Sequence, residues 1–216
     1  MTVIGENGGI VMRDGVEVSS HPVDTPTVRE VIRLVREAAA GPDGIDGGLV
    51  MCGKQFAYVE RTDDRFVDGV LPYYHRTKRI DDQIAIIDAI EAGEIDDAIV
   101  KLAVYVIGSV QALAEATLAN FADTHQYAIS GANWADLQIR GVDKGSAVRD
   151  LQRFLGVDRS QTAVFGDAGN DLSMMSEGDL SFAMANASQD VIEAARFVAP
   201  SNNEAGVAQV LRALLG

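Results

Sequence analysis

The residues best suited to chemistry lie in one short stretch, AVFGDAGND, at positions 163–171. An apolar run that is typical of a buried strand ends at Gly166. Asp167, Asn170 and Asp171 follow directly. Neighbouring carboxylates repel each other and are costly to desolvate, so this spacing predicts a bound cation. Every side-chain ligand in the stretch is an oxygen, and neither His nor Cys is nearby, which favours Mg²⁺ over softer metals.

The same residues allow a purely structural interpretation, in which Asp167 begins a turn and Asp171 stabilises the start of the next helix. A lone Gly-Asp pair would favour that interpretation. The pattern Gly-Asp-x-x-Asn-Asp at the end of a buried strand favours a functional one, because open parallel sheets bind ligands beyond the carboxyl ends of their strands. The helix that begins beside the loop also offers backbone N–H groups and a positive dipole end, which suit a phosphate.

Lys144 is the second candidate, and it opens a predicted helix in the stretch GVDKGSAV. A cation at a helix N-terminus opposes the helix dipole, so its presence requires a reason. A phosphate held between Lys144 and the helix ends would supply that reason. A surface lysine without a ligand is the alternative.

The elements that must position these residues are clearest from residue 144 onward. There, predicted helices and strands alternate strictly, beginning with the helix KGSAVRDLQRFLG, which Gly156 ends. Strict alternation implies right-handed crossovers and a parallel, doubly wound sheet. The predicted strands are TAVFG, LSFAMA and FVAP, and the later helices begin in NDLSMMSEG and cover residues 188–196 and 204–215.

The middle of the chain has a different pattern. It predicts a helix over residues 26–40 that Thr25 caps, and a helix over residues 109–123 that Ser109 caps. A further helix is predicted over residues 63–75. Strands are predicted in GLVMCGKQFAYVER, IVKLAVYVIG, HQYAISG and WADLQIRG. This order suits an α+β unit with an antiparallel sheet.

These patterns predict an α/β fold with a discontinuous main domain. A doubly wound, Rossmann-like parallel-sheet core is expected from residues 1–20 and 140–216, in which TVIGENGGIVM forms two strands around a glycine-rich turn. Residues 21–139 form the inserted α+β domain.

The composition excludes several classes of protein. The net charge is −14, which repels nucleic-acid backbones. The basic stretch HRTKR at 75–79 stands beside Asp81 and Asp82, and we interpret it as a solvated loop or helix end.

No apolar run is long enough for a membrane helix, and no signal-peptide pattern opens the sequence. The single cysteine, Cys52, is predicted to be a small core residue, and the cytoplasm is the expected compartment.

Several motifs resemble one family. GVDKGSAVRDLQRFLG, AVFGDAGNDLSMM, FAMANA and SNNEAGVAQVL follow one another as in the Cof-type (IIB) phosphatases of the haloacid dehalogenase-like (HAD) superfamily. GENGGIV is similar to the segment where that family's core sheet leads into its cap domain, and NWADLQIRGVDKG is similar to the return. The resemblance covers nearly the whole chain and implies that the inserted domain is a cap.

The resemblance implies a chemistry in which an aspartate attacks a phosphomonoester and water hydrolyses the aspartyl-phosphate, while a second aspartate two positions later acts as general acid and base. Lys144 matches the lysine that binds the phosphate and the nucleophile, so it is the predicted catalytic and phosphate-binding residue. Asn170 matches a second phosphate contact. Asp167 and Asp171 match the carboxylates at the metal, Mg²⁺. A small phosphorylated metabolite, such as a sugar phosphate or phosphoglycolate, is the expected substrate, with neither nucleic acid nor membrane as a partner.

One departure from the family is large, because the sequence contains no Asp-x-Asp and no Ser/Thr motif after a second core strand. Glu6 and Asp14 are acidic but fall in a turn region, so neither is favoured as a substitute nucleophile. Three explanations are a truncated gene product, an inactive relative that keeps a phosphate site, and a strand supplied by another chain. We favour truncation. The expectation is then an incomplete core that is marginally stable alone or covered by homo-oligomerisation. The alternative functions are a non-catalytic phosphate- and metal-binding or regulatory protein, and a protein whose cap mediates interactions.

Overall fold

The computed structural model describes residues 1–41 and 44–216 of the chain. Within them the chain separates into two compact units. Unit 1 contains residues 1–19 and 142–216, and unit 2 contains residues 20–141. Helices and strands are mixed in both units, so the predicted α/β class is confirmed.

Three short strands open the chain, β1 (Thr2–Gly5), β2 (Ile10–Arg13) and β3 (Val16–Ser20). β2 lies between the other two, and it pairs antiparallel with β1. A single 3-10 turn, Glu6–Gly8, joins β1 to β2, as the glycine-rich sequence predicts. Asp14 and Gly15 join β2 to β3 with φ values of 50° and 82°, a left-handed pair that suits a tight hairpin turn.

Unit 2 is built on a six-stranded sheet in the order β6-β5-β4-β7-β9-β8. Its pairs are antiparallel except for β5 with β6, which are parallel. The elements of unit 2 are α1 (Thr25–Ala40), β4 (Gly47–Gly53), β5 (Ala57–Val59), α2 (Asp64–Val70), β6 (Thr77–Arg79), α3 (Gln83–Glu91), β7 (Ile99–Val106), α4 (Gln111–Ala116), β8 (His125–Ile129) and β9 (Trp134–Ile139).

The central strands of this sheet are buried on both faces because their side chains alternate between two apolar clusters. On β4, Leu49 and Met51 pack in the larger cluster, which includes the apolar stripe of α1. Val50 and Cys52 point into the smaller cluster with Phe66 of α2. The prediction that Cys52 is a core residue is confirmed, since it is 1% exposed.

Two predicted helix caps are wrong. The cap of α1 is Asp24, whose carboxylate accepts the backbone N–H of Thr27 at 2.9 Å, and Thr25 is already helical. The helix predicted over residues 109–123 is also broken. Its regular part is α4, which begins after Val110 without a side-chain cap. It ends at Ala116, and the hydroxyl of the next residue, Thr117, donates to the carbonyl of Leu113 at 2.6 Å. Such a side-chain bond competes with the backbone hydrogen bonds of the helix.

Two further predictions about unit 2 need correction. The helix expected over residues 63–75 is α2, which stops at Val70, and a 3-10 turn containing Pro72 follows. The basic stretch at 75–79 is a loop only at His75 and Arg76, because β6 begins at Thr77 and pairs with β5 as far as Arg79. The ammonium of Lys78 lies 4.0 Å from the ring centre of Phe56, so a cation–π contact holds this strand at the sheet edge.

The rest of unit 1 alternates as the sequence predicts. β10, β11 and β12 form a three-stranded sheet in that order, and both pairs are parallel. Gly156, at φ 67°, caps the helix that precedes β10. The elements are α5 (Lys144–Leu155), β10 (Ala163–Gly166), α6 (Leu172–Met175), β11 (Leu180–Met184), α7 (Gln189–Ala194), β12 (Phe197–Ala199) and α8 (Gly206–Leu215).

No helix within the described ranges combines the length and the apolar character that crossing a membrane requires.

Candidate phosphate and metal site

The loop after β10 carries the acidic residues, as the strand–helix alternation predicts. It runs from Gly166 through a 3-10 turn, Gly169–Asp171, into α6. A side chain at position 166 would bring its Cβ within 2.6 Å of the Cβ of Asp171. The glycine therefore lets Asp171 fold back against the end of the strand.

Asp171 lies at the centre of this arrangement and is 5% exposed. Its Oδ2 accepts the backbone N–H of Asp167 at 2.9 Å and that of Ala168 at 3.2 Å. Its Oδ1 accepts a hydrogen bond from Nζ of Lys144. Burial of the carboxyl favours its neutral form, but Lys144 and the two amides outweigh burial, so the pKa of Asp171 lies below its usual value. Asp171 is thus an ionised, internally bound carboxylate.

Lys144 reaches Asp171 because the first turn of α5 is fixed against α6. Asp143 caps α5, with its carboxylate accepting the N–H of Ser146 at 2.7 Å. The N–H of Gly145 donates to Oγ of Ser173 at 3.0 Å, and a Cβ at position 145 would lie 2.4 Å from the carbonyl oxygen of Ser173. The cation at this helix N-terminus therefore has a reason visible in the structure, the carboxylate of Asp171.

The backbone of Asp167 is fixed by two hydrogen bonds, and its carboxylate is available to bind a ligand. Its N–H donates to Asp171, and its carbonyl accepts the N–H of Ser188 at 3.0 Å. The side chain is half-buried and makes neither an ion pair nor a hydrogen bond within the residues that the structure describes. Fixed backbone and an unengaged carboxylate are what a ligand to an incoming cation requires.

Asn170 is exposed, and its Nδ2 donates to Oδ1 of Asn7 at 3.2 Å. Asn7 belongs to the turn between β1 and β2, and the sequence prediction did not include it among the site residues. The Asn-Gly-Gly triplet at positions 7–9 predicts a turn, but not which side chain the turn would present. The structure thus brings Lys144, Asp167, Asn170 and Asp171 into one connected group within unit 1 and adds Asn7 to it.

The donor set fits Mg²⁺ through Asp167. Among the described residues, no group of three or more His, Cys, Asp or Glu side chains is placed to hold a metal ion. Mg²⁺ does not need such a group, because it is commonly bound by one or two carboxylates together with water and substrate phosphate. The oxygens of Asp171 already bind Lys144 and two amides, so its place as a direct metal ligand stays a prediction.

Comparison with known proteins gives the family. A sequence profile of the haloacid dehalogenase-like hydrolases matches residues 1–211. The 5-amino-6-(5-phospho-D-ribitylamino)uracil phosphatase of Escherichia coli is 32% identical over 220 residues, which cover 98% of this chain and 73% of that protein.

Solved structures share the fold. A haloacid dehalogenase-like hydrolase from B. subtilis superposes with a TM-score of 0.78 at 18% identity, covering 99% of this chain and 79% of the other. A HAD subclass IIB sugar phosphatase superposes with a TM-score of 0.69 at 17% identity, covering 99% and 75%. The chain therefore belongs to the haloacid dehalogenase-like hydrolases, an enzyme family in which its relatives are phosphatases.

Proposed function

We propose that this protein takes part in the Mg²⁺-dependent hydrolysis of a phosphomonoester, with a small phosphorylated metabolite as substrate. The observation that carries the proposal is the bond network in which Asp171 joins Lys144 to the amides of the loop after β10. This network places one cationic side chain and one unengaged carboxylate, that of Asp167, at the carboxyl end of a parallel strand, where open sheets bind ligands.

In the proposed site each residue has a separate task. The ammonium of Lys144 and the amide of Asn170 bind phosphoryl oxygens, and Asp167 would hold Mg²⁺. The metal, when bound, neutralises negative charge on the phosphoryl group. Asp171 fixes the conformation of the loop through Oδ2, which binds two loop amides, and it orients Lys144 toward the loop through Oδ1. These tasks require a buried, ionised Asp171, which its lowered pKa supports.

The names of the relatives support a class of substrate. One relative acts on a phosphorylated ribityl compound, and a structural neighbour is named as a sugar phosphatase. We therefore propose phosphorylated sugars and polyols as the first substrates to test, with phosphoglycolate as the smaller alternative. Acidic residues outnumber basic ones by 32 to 18, so a small, locally bound anion is more compatible with this surface than a polyanion.

A second candidate is a non-catalytic protein that binds phosphate and metal. The observation that favours it is the absence of Asp-x-Asp from the 216 residues, since the proposed chemistry needs a nucleophile. The two candidates share one binding site and differ only in turnover.

The test is an assay with p-nitrophenyl phosphate, with and without Mg²⁺, on the wild type, Asp167→Ala and Lys144→Met. The proposal predicts Mg²⁺-dependent turnover that both substitutions reduce by at least about tenfold. Lys78→Met, which removes a lysine of unit 2, is the matched control and should leave turnover unchanged. Phosphate binding without turnover would select the non-catalytic candidate, and neither binding nor turnover would contradict both.

A further inference from the structure

The turn between β1 and β2 has an unusual backbone. Glu6, Asn7 and Gly8 all have positive φ, at 49°, 52° and 100°. This region is open to glycine, but residues with a Cβ enter it at a steric cost that asparagine tolerates better than most. Two consecutive non-glycine residues held there indicate that the surrounding structure imposes the conformation.

The start of α5 packs closely against this turn. A Cβ at position 8 would lie 2.2 Å from the carbonyl oxygen of Asp143 and 3.2 Å from the backbone nitrogen of Lys144. The turn is therefore seated directly on the residues that begin α5, and no larger residue fits at Gly8. Asn7 directly precedes Gly8, so its backbone lies beside the start of α5.

From that position Asn7 meets the loop after β10. Its Oδ1 accepts the hydrogen bond from Nδ2 of Asn170 at 3.2 Å, across 163 positions in sequence. The amide nitrogen of Asn170 carries two hydrogens, so one N–H remains to donate to an anion. An amide without such a partner rotates between two nearly equivalent orientations, one of which would present its oxygen, and not an N–H, to a phosphate.

We propose that Asn7 is a positioning residue of the phosphate site, which orients the Asn170 amide so that its second N–H faces a bound phosphoryl group. The inference rests on the proposed function, because it assigns a task at the same site. It gives the strained turn a task, because its left-handed backbone places the Asn7 oxygen at hydrogen-bond distance from Asn170.

The first experiment measures orthophosphate binding in the presence of Mg²⁺ by calorimetry. Asn7→Gly keeps the left-handed backbone but removes the oxygen acceptor, so we expect the dissociation constant to rise about three- to tenfold, as for the loss of one hydrogen bond. Ala205→Gly is the matched control, since Ala205 also has a positive φ, at 55°, and is exposed outside the site. It should bind phosphate like the wild type.

A double-mutant cycle separates positioning from a general effect on the fold. If Asn7 acts through Asn170, then Asn7→Gly should add no further loss to Asn170→Ala. Additive losses, or wild-type affinity in Asn7→Gly, would overturn the proposal. Thermal unfolding of each variant shows whether the folded population differs.

A second readout does not depend on phosphate. The side-chain amide resonances of Asn170, assigned with Asn170→Ala, should shift in Asn7→Gly and stay near their wild-type positions in the control Ala205→Gly. Unchanged resonances in Asn7→Gly would show that the contact is absent and would overturn the proposal by themselves. If the resonances shift in Asn7→Gly but the wild type binds no phosphate, the proposed function is refuted and the contact is only structural.

Discussion

The two units differ in how their interiors are built. Most of the largest fully buried side chains lie in unit 2, among them Tyr58, Phe66, Leu102 and Leu137, whereas Val11 is the member of that set in unit 1 within the described chain. The core of unit 2 consists of one large cluster on the face of its sheet that α1 covers and a smaller cluster on the face that α2 covers. Unit 1 instead has two small clusters, one on each side of its parallel sheet.

Unit 1, which has the smaller apolar clusters, exposes more large apolar side chains than unit 2. In unit 1, Phe197, Val198, Leu211 and Leu214 are each between 39% and 58% exposed. Strands of a parallel sheet are ordinarily covered on both faces. On one face of the sheet of unit 1, Phe165 stacks on Phe182 and Phe182 on Phe197. Among the described residues, the cluster on that face includes a single residue from a helix, Val210.

This contrast indicates that the residues that contribute most to stability and those of the candidate site lie in different units. Unit 2 carries the larger apolar core, and burial of apolar surface is the main favourable term in folding. Unit 1 carries the candidate site, whose geometry depends on close approaches of the backbone of Asp143 at Gly8, the backbone of Ser173 at Gly145 and the side chain of Asp171 at Gly166. Substitutions in unit 2 should therefore act mainly on stability, and substitutions at the glycines of unit 1 should act on stability and ligand binding together.

The largest effect is expected for Gly8→Ala. The new Cβ would lie 2.2 Å from a backbone oxygen that cannot move away easily, and the residue would keep a positive φ. Steric overlap and backbone strain together should lower the free energy of unfolding by about 3–5 kcal/mol and abolish phosphate binding. Gly15→Ala is the control, because φ there is 82° but no atom lies within 4 Å of the new Cβ. It should cost about 1–2 kcal/mol and leave binding intact. Equal losses in urea unfolding would contradict the close approach.

Leu102→Ala tests the other side of the comparison. Leu102 is fully buried in the larger cluster of unit 2, so its truncation should lower the free energy of unfolding by about 2–5 kcal/mol through lost burial and a cavity. Leu211→Ala in α8 removes a side chain that is 39% exposed and should cost much less. Chemical denaturation measures both. A larger loss for Leu211→Ala would place the stability of the protein in unit 1.

Tyr58→Phe should have a smaller effect on unit 2. The hydroxyl of this buried ring donates to Oδ2 of Asp97 at 2.8 Å, while Oδ1 of Asp97 also accepts the backbone N–H groups of Gln55 and Ala98. Because Asp97 keeps those bonds, loss of the hydroxyl should lower the free energy of unfolding by about 0.5–1.5 kcal/mol. The same urea titrations measure it, and an unchanged midpoint would show that water replaces the hydroxyl without cost.

The smallest effect concerns pH. Burial lowers the pKa of His125 below its ordinary 6.5, although the carboxylate of Asp24, 3.6 Å from Nε2, opposes the shift. The unfolded chain then binds a proton at a higher pH than the folded one. The stabilisation is full above about pH 6.5 and is lost as the pH falls through the lowered folded pKa. His125→Gln should flatten the stability of unit 2 between pH 7 and pH 5, and an unchanged slope would exclude His125 as its source.

Local rules predict the regular elements well where one signal dominates. The alternation after residue 144 and the stop at Gly156 follow from hydrophobic periodicity and glycine, and the structure confirms both. Errors arise where two signals compete. Asp24 and Thr25 are both good caps, and sequence alone does not decide which is used. The Thr117 side chain interrupts a helix whose apolar spacing continues past it.

The site is predictable only in part for a different reason. The residues of the loop after β10 are adjacent in sequence, so strand–loop–helix reasoning brings them together. Lys144 and Asp171 are 27 positions apart, and their direct contact depends on how Gly145 packs against Ser173. Asn7 lies 163 positions from Asn170, and its role depends on a left-handed backbone that its residue type permits but does not require.

The most direct test of the account maps where phosphate and Mg²⁺ bind. Backbone amide resonances of the wild type should be followed by NMR during titration with orthophosphate in the presence of Mg²⁺. The account predicts shifts concentrated at residues 6–8, 143–146 and 166–171, and their loss in Lys144→Met. Shifts concentrated in unit 2, or no saturable shifts at millimolar phosphate, would contradict the assignment of the phosphate and metal site to the loop after β10.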